Sequence, residues 1–261
     1  MFVDSHCHLN FPQYTEQLEQ VRADMAAAQV DRALCISTTL EEFPQVHDLA
    51  LRFDNFWATV GVHPDNEGVT EPTLDDLLDR AALPRVVGIG ETGLDYYRLE
   101  GRSVADMAWQ RDRFRVHIDA ARQTGLPLVI HTRQASDDTV AILRESGQGQ
   151  VTGVFHCFTE TEAVARAALD MGFMISFSGI LTFKNAADLR DVARFVPLDR
   201  CLIETDSPYL APAPYRGKTN TPAYVPFVAR QLAELKGLSV EDVGVATSAN
   251  FEELFSRVRT G

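Results

Sequence analysis

The segment MFVDSHCHLNF at residues 1–11 places His6 and His8 two residues apart, with Asp4 two before them. Side chains alternate faces along a strand, so this spacing predicts all three on one face and Cys7 on the other. Polar groups buried there need partners, because each unpaired one costs roughly 1–3 kcal/mol on protein scales. Polar residues end other apolar runs in the same way. His63 closes FWATVGVH, Glu91 closes RVVGIGE, and His131 stands near the end of LPLVIHT; His156 lies in VTGVFHCF and Asp206 closes CLIETD. Imidazole and carboxylate together suit divalent ions such as Zn, Mn or Mg, the softer ions favouring nitrogen. One strand-end histidine is more often a satisfied structural residue than a ligand. A whole set of them calls for a shared explanation, and a metal centre supplies it.

The elements that must position these residues are eight apolar, β-branched runs at 1–9, 32–38, 56–63, 85–91, 126–132, 151–158, 172–179 and 201–206. Helix-like segments lie between most of them. YTEQLEQVRADMAAAQ at 14–29 is one, and 103–125 is the longest, with apolar positions at helical spacing and Gly125 as a stop. Alternating strand and helix predicts βα units around a parallel sheet. Eight strands in a chain of 261 residues fit the α/β class and a closed (β/α)8 TIM barrel, whose strand C-termini converge on one mouth. A doubly wound open sheet is the rival. It often carries a glycine-rich phosphate turn after its first strand, where this chain has HCH. No Pro/Gly-rich linker breaks the chain, so residues 1–261 are expected to form one domain. The proline-rich loop APAPYRGKTN at 211–220 follows the eighth strand and is expected to border the site.

The formal net charge of −13 argues against a broad basic surface that grips long duplexes. It leaves nucleic acid open as a substrate, since metal ions supply local positive charge. The cysteines Cys7, Cys35, Cys157 and Cys201 are scattered and form no CxxC pair, which predicts free thiols in a reducing compartment. No signal-peptide-like or membrane-length apolar run is present, so the expected setting is cytoplasmic, with no membrane partner. No obligate protein partner is evident from the sequence, and the helix surfaces leave the oligomeric state open.

The chain resembles the TatD family of metal-dependent hydrolases, within the amidohydrolase-like superfamily of TIM barrels. The matching pieces are DSHCHL at 4–9, GVHP at 61–64, GETGLDYY at 90–97, LPLVIHTRQASDD at 126–138 and HCF at 156–158. ISFSGILTFKN at 175–185, ETDSPYLAPAPYRGKTNTP at 204–222 and the NFEELF end at 250–255 complete the series, in order along almost the whole chain.

The resemblance implies a ligand set of His6, His8, Glu91, His131, His156 and Asp206 around two divalent metal ions (Mg, Mn or Zn). Glu91 would bridge them, with His6, His8 and Asp206 on one ion and His131 and His156 on the other. Such a pair, roughly 3.5–4 Å apart, can clamp both the attacking and leaving oxygens of a displacement. Asp206 would double as a proton acceptor. His63 matches a site histidine that either contacts substrate phosphate or supports a ligand from behind. Asp4 is expected to orient a ligand from deeper in the barrel. Gly88 and Gly90 are expected to leave room around Glu91. Arg133, Lys184, Arg216 and Lys218 all come from loops at the strand C-termini and are candidates to surround a phosphate. Tyr96, Phe158 and Tyr209 could stack on bases or pack loops.

The implied activity is hydrolysis of DNA phosphodiesters as a 3′-5′ exodeoxyribonuclease, with nicking at abasic sites and a place in DNA repair. Single strands or 3′ ends are the expected partners, since an end-acting enzyme needs a pocket and not a basic track. The alternative is carbonyl hydrolysis, such as D-aminoacyl-tRNA deacylation, because the same ligands support attack on carbon. The cations tilt the balance toward phosphate. Two departures from the family pattern, Glu160 in HCFTE and Thr221 in NTP, are expected to alter loop shape without touching a ligand.

Overall fold

Each apolar run becomes a buried strand, and together they form one parallel sheet in the order β1 to β8 in the computed structural model, which describes residues 1–259. The strands are β1 Phe2–Cys7, β2 Val30–Cys35, β3 Phe56–Val60, β4 Val86–Asp95, β5 Leu128–Arg133, β6 Gly153–Phe155, β7 Met174–Phe177 and β8 Cys201–Ile203. Cys7 bridges Ser207 in parallel register, and the Asp206 amide donates to the His6 carbonyl at 3.0 Å, so the last connection closes the sheet onto the first strand. The fold is the expected (β/α)8 barrel.

Helices α1 Leu18–Ala27 and α4 Ala108–Thr124 fall in the segments expected at 14–29 and 103–125, and α5 Ser136–Gly147, α6 Glu162–Asp170, α7 Ala187–Phe195, α8 Val225–Lys236 and α9 Val240–Leu254 follow. Two more, α2 Phe43–Arg52 and α3 Leu74–Ala81, fill connections where no helix is expected from the apolar pattern. Their start signals are nevertheless present. Pro44 sits in the first turn of α2, and Thr73 and Asp76 form a reciprocal capping box at α3. Helix α4 stops at Gly125, which adopts φ 69°.

Strand residues divide between two apolar layers. Val3, Leu34, Val87, Val129, Val154 and Leu202 fill the barrel, and Phe251 and Phe255 pack against them from the C-terminal end of the chain. The opposite faces pack under the helices in a larger core. A solid barrel floor confines chemistry to the other end.

One expectation about the first strand is overturned. Asp4 pairs with Ala33 and Cys7 with Cys35, three residues of β1 against two of β2. That bulge breaks the alternation, so Asp4 shares the face of Cys7 and not that of the histidines. Seven strands are shorter than their apolar runs, whereas β4 is longer and continues to Asp95, so Glu91 does not end it as expected. β3, β6 and β8 end before His63, His156 and Asp206, which stand on the connections just beyond.

His117 on α4 braces one of these connections. It is fully buried; Nδ1–H donates to the Arg113 carbonyl at 2.8 Å, and Nε2 accepts from the Val62 amide at 3.0 Å. Arg113 in turn donates to the carbonyls of His63 and Asn66 at 2.8 and 2.9 Å. Burial pushes the His117 imidazole down to about 4, from an ordinary value of 6.5. The folded state therefore binds this proton less readily than the unfolded chain, and its contribution to stability is lost as pH falls from 6.5 toward 4. In His117→Gln, the difference in urea unfolding free energy between about pH 7 and pH 4.5 should shrink by about 2 kcal/mol. An unchanged difference would show that His117 does not carry this pH dependence.

Candidate metal centre

Glu91 stands in the middle of β4, where neighbouring backbones run unusually close. A side chain on Gly61 would put its Cβ 2.4 Å from the Gly90 carbonyl carbon. One on Gly93, at φ 131°, would reach 2.0 Å from the His131 carbonyl oxygen. These glycines let β3, β4 and β5 close together. Gly88 abuts Phe255 and Thr59 and Gly90 abuts Val129, so neither leaves space around the Glu91 carboxylate as expected. The Glu91 amide donates to the Ser37 carbonyl at 3.0 Å.

The carboxylate of Glu91 is almost fully buried, and its two oxygens face different partners. Oε2 lies 3.4 Å from His6 Nε2 and 3.8 Å from His8 Nε2. Oε1 lies 2.8 Å from His156 Nε2, 3.2 Å from His131 Nδ1 and 3.3 Å from His63 Nε2. Asp206 Oδ1 closes the first side, 3.4 Å from His8 Nε2 and 3.6 Å from His6 Nε2. Donor atoms of His6, His8 and Glu91, of His6, His156 and Asp206, and of His63, Glu91 and His131 form three groups, each within 4.8 Å.

The hydrogen bonds behind these rings decide which nitrogens can bind a cation. His131 Nε2 lies 2.9 Å from Asp95 Oδ2, and His156 Nδ1 lies 3.2 Å from Glu204 Oε1. An ionised carboxylate only accepts, so those nitrogens carry hydrogen. In the neutral rings His131 Nδ1 and His156 Nε2 then turn lone pairs toward Glu91 Oε1, acceptor against acceptor. His63 is different: its Nδ1 accepts from the Asp65 amide at 3.0 Å, so Nε2–H points at Glu91. The His63 tautomer makes it a hydrogen-bond donor, whereas His131 and His156 present ligand lone pairs. His6 Nδ1, His8 Nδ1 and His156 Nε2 are buried with no hydrogen-bond partner. This donor set fits a pair of divalent cations between the rings and the carboxylates. Burial pulls His156 down, but Glu91 and Glu204 more than reverse it and hold it well above its ordinary value. Burial pushes Glu91 up, and His156, His63 and His6 more than reverse that, holding it well below.

Three contributors were not singled out from the sequence. Asp95 and Glu204 orient ligand rings, and Glu204 Oε1 also accepts from the Cys157 amide at 2.8 Å. Both lie inside the motifs GETGLDYY and ETDSPY, so a search for carboxylates beside each ligand would have found them. Arg98 lines the cleft and is the third. Asp4 acts differently from expectation. It accepts from Thr205 N at 2.9 Å and Thr205 Oγ1 at 2.5 Å, and from the His6 amide at 3.3 Å, while neither histidine ring donates to it. It therefore holds the backbone beside Asp206, which sits at φ 54°. Burial pushes the Asp4 carboxyl up to about 7, against the pull of the Thr205 donors.

Above the centre opens a cleft of about 630 Å³. His8, His63, Glu91, His131, His156 and Asp206 reach it, and His6 lies buried beneath. Among the described residues, the lysine and arginine side chains lining it are Arg98 and Arg133. Arg133 lies 3.5 Å over the Tyr97 ring. Lys184, Arg216 and Lys218 are exposed but do not line the cleft. Tyr209 lines it and is half exposed, whereas Phe158 is buried and Tyr96 is buried with its hydroxyl donating to Asp138 at 2.7 Å. Glu160 accepts from Ser136 Oγ at 2.6 Å, and Thr221 Oγ1 has no partner.

Residues 3–256 match the family model described as TatD related DNase. The chain belongs to the TatD family of metal-dependent hydrolases. It is 48% identical to the metal-dependent hydrolase YcfH of Escherichia coli (strain K12) over 257 residues, 97% of this chain and 95% of that one. It is 32% identical over 258 residues, 97% of each chain, to a protein of Citrobacter rodentium (strain ICC168) named 3′-5′ ssDNA/RNA exonuclease TatD. The crystal structure of YJJV, a TatD homolog from Escherichia coli k12, superposes with a TM-score of 0.90 at 27% identity, covering 98% of both chains. As a TatD-family protein the chain is a metal-dependent hydrolase, and among the described residues no helix is long and apolar enough to cross a membrane. Because Glu204 fixes the His156 ring, Glu204→Ala should weaken Mn or Zn binding by roughly 10–100-fold by titration calorimetry, with an unchanged circular dichroism spectrum. Unchanged affinity would remove Glu204 from this role.

Proposed function

We propose that this TatD-family hydrolase cleaves DNA phosphodiesters, releasing nucleotides from the 3′ ends of single strands and nicking abasic sites, in cytoplasmic DNA repair. The observation that carries the reading is the split carboxylate of Glu91, one oxygen toward each histidine set, beneath a cleft lined by Arg98 and Arg133. Both arginines are suited to the non-bridging oxygens of a phosphodiester. The name of the Citrobacter rodentium relative is in keeping with this choice of bond and end.

His6, His8 and Asp206 would hold one divalent ion and His131 and His156 the other, with Glu91 shared. Bound there, such ions activate water and neutralise charge on phosphoryl oxygens. The chain's own residues do the rest. Asp206 accepts the proton of the attacking water at a carboxylate oxygen. His63, whose tautomer the Asp65 amide fixes, turns Nε2–H from Glu91 to a phosphate oxygen of the substrate. Tyr209 and Phe11, whose rings meet edge to face at 6.2 Å, offer a surface for the terminal base.

The test is an assay of chelated enzyme reloaded separately with Mg, Mn or Zn, on 3′-ended single-stranded DNA, abasic duplex and D-aminoacyl-tRNA. Cleavage of the DNA substrates with metal, and none without, is expected. Hydrolysis of the aminoacyl ester alone would replace this reading with the carbonyl one. Glu91→Ala should lower DNA cleavage by about 100-fold or more, while thermal unfolding of the metal-free protein remains cooperative. Full activity in that variant would remove Glu91 from the centre.

A further inference from the structure

The cations displaced from the cleft are not scattered. Residues 171–187 and 207–233 contain no Asp or Glu, yet they hold Lys184, Arg216, Lys218 and Arg230. Those four positive charges leave −17 on the remainder of a chain whose total is −13. All four side chains are exposed. Arginines elsewhere are commonly paired, as Arg32 is to Glu252 and Arg102 to Glu67, each at 2.6 Å. Among the described residues none of these four has a carboxylate oxygen within 4 Å.

The two segments form one face. A side chain on Gly179 would place its Cβ 2.0 Å from the Leu210 carbonyl oxygen, and the Ala213 amide donates to Thr182 Oγ1 at 2.8 Å. Aromatic rings lie beneath the cations. The Arg216 guanidinium sits 3.4 Å over Phe183, Lys218 Nζ 5.7 Å from the Tyr215 ring, and the Arg230 guanidinium 5.1 Å from Phe227. Tyr215 stacks on Tyr224 at 4.1 Å and meets Phe227 at 5.1 Å, which ties the loop after β8 to α8. The acids next to the two segments in sequence are Asp170, Asp188, Asp206 and Glu234, and the charge of Asp24 reaches Tyr224. At its inner edge Ile180, Tyr209 and Leu210, from the same two loops, line the cleft.

We propose that this acid-free face is a strand-binding ledge, which holds the body of a single-stranded nucleic acid whose terminal nucleotide occupies the cleft. A cation on an aromatic ring keeps donors turned outward for phosphates, and a guanidinium plane seated on a ring offers its outer face to a base. The surrounding negative charge repels the strand elsewhere and confines it to this path. The ledge rests on the nuclease reading for its ligand, but binding to it does not require cleavage.

The test uses the metal-loaded protein and the variant K184A/R216A/K218A/R230A. Fluorescence anisotropy with a long oligodeoxythymidylate, at several salt concentrations, measures affinity and its salt dependence. The variant should bind the long strand at least tenfold more weakly. Its slope of log K against log salt should be shallower by about 2–3, at roughly 0.7 for each phosphate that the four cations no longer neutralise. Turnover of a dithymidylate, which the cleft alone accommodates, should be unchanged. Equal affinity and slope in the two proteins would overturn the ledge, whatever DNA they cleave. So would competition by polyglutamate as effective as by unlabelled oligonucleotide, since that marks a general polyanion surface. A wild-type protein that binds the strand with the steep slope yet cleaves no DNA would sink the nuclease reading and leave the ledge standing.

Discussion

Everything in this molecule converges on the conflict around the Glu91 carboxylate. The lone pairs of His131 and His156 face one of its oxygens, while the His6 and His8 rings and Asp206 gather at the other. Such an assembly repels itself unless cations stand between its members. The rest of the fold is arranged to hold it in place. Close backbone approach at Gly61 and Gly93 sets β4 between its neighbours, and carboxylates behind His131 and His156 turn their lone pairs inward. Asp4, displaced from the histidine face by a bulge, pins Thr205 and with it the backbone of Asp206.

The same arrangement bears on how an acidic chain would meet the phosphodiester substrate proposed for it. Net charge is an average, and the distribution matters more for steering than the total. Positive side chains gather on Arg98 and Arg133 at the cleft and on Lys184, Arg216, Lys218 and Arg230 beyond it. Arg133, Arg216, Lys218 and Arg230 lie against aromatic rings, not carboxylates, so their charge is not spent on internal pairs. The strand's end and its body would thus be recognised by separate surfaces built from adjacent loops.

Much of this was legible in the sequence. Eight apolar runs separated by helical patterns determined the barrel, because alternation of strand and helix leaves few other ways to bury both faces of a parallel sheet. A barrel gathers strand ends, so His6, His8, His63, Glu91, His131, His156 and Asp206 could be expected around one mouth. Helices α2 and α3 escaped notice, although Pro44 in the first turn of α2 and the capping box at Thr73 were there to find. The tertiary structure decided what depends on direction and on small offsets. One extra residue in β1 moved Asp4 to the other face, which no alternation rule reveals. The Asp65 amide chose the His63 tautomer, and Asp95 and Glu204 chose those of His131 and His156, through contacts invisible to spacing. Loop paths took Lys184, Arg216 and Lys218 out of the cleft and set Arg216 and Lys218 on rings beside it. Sequence patterns record which face of an element is apolar; only packed coordinates record where each polar atom points.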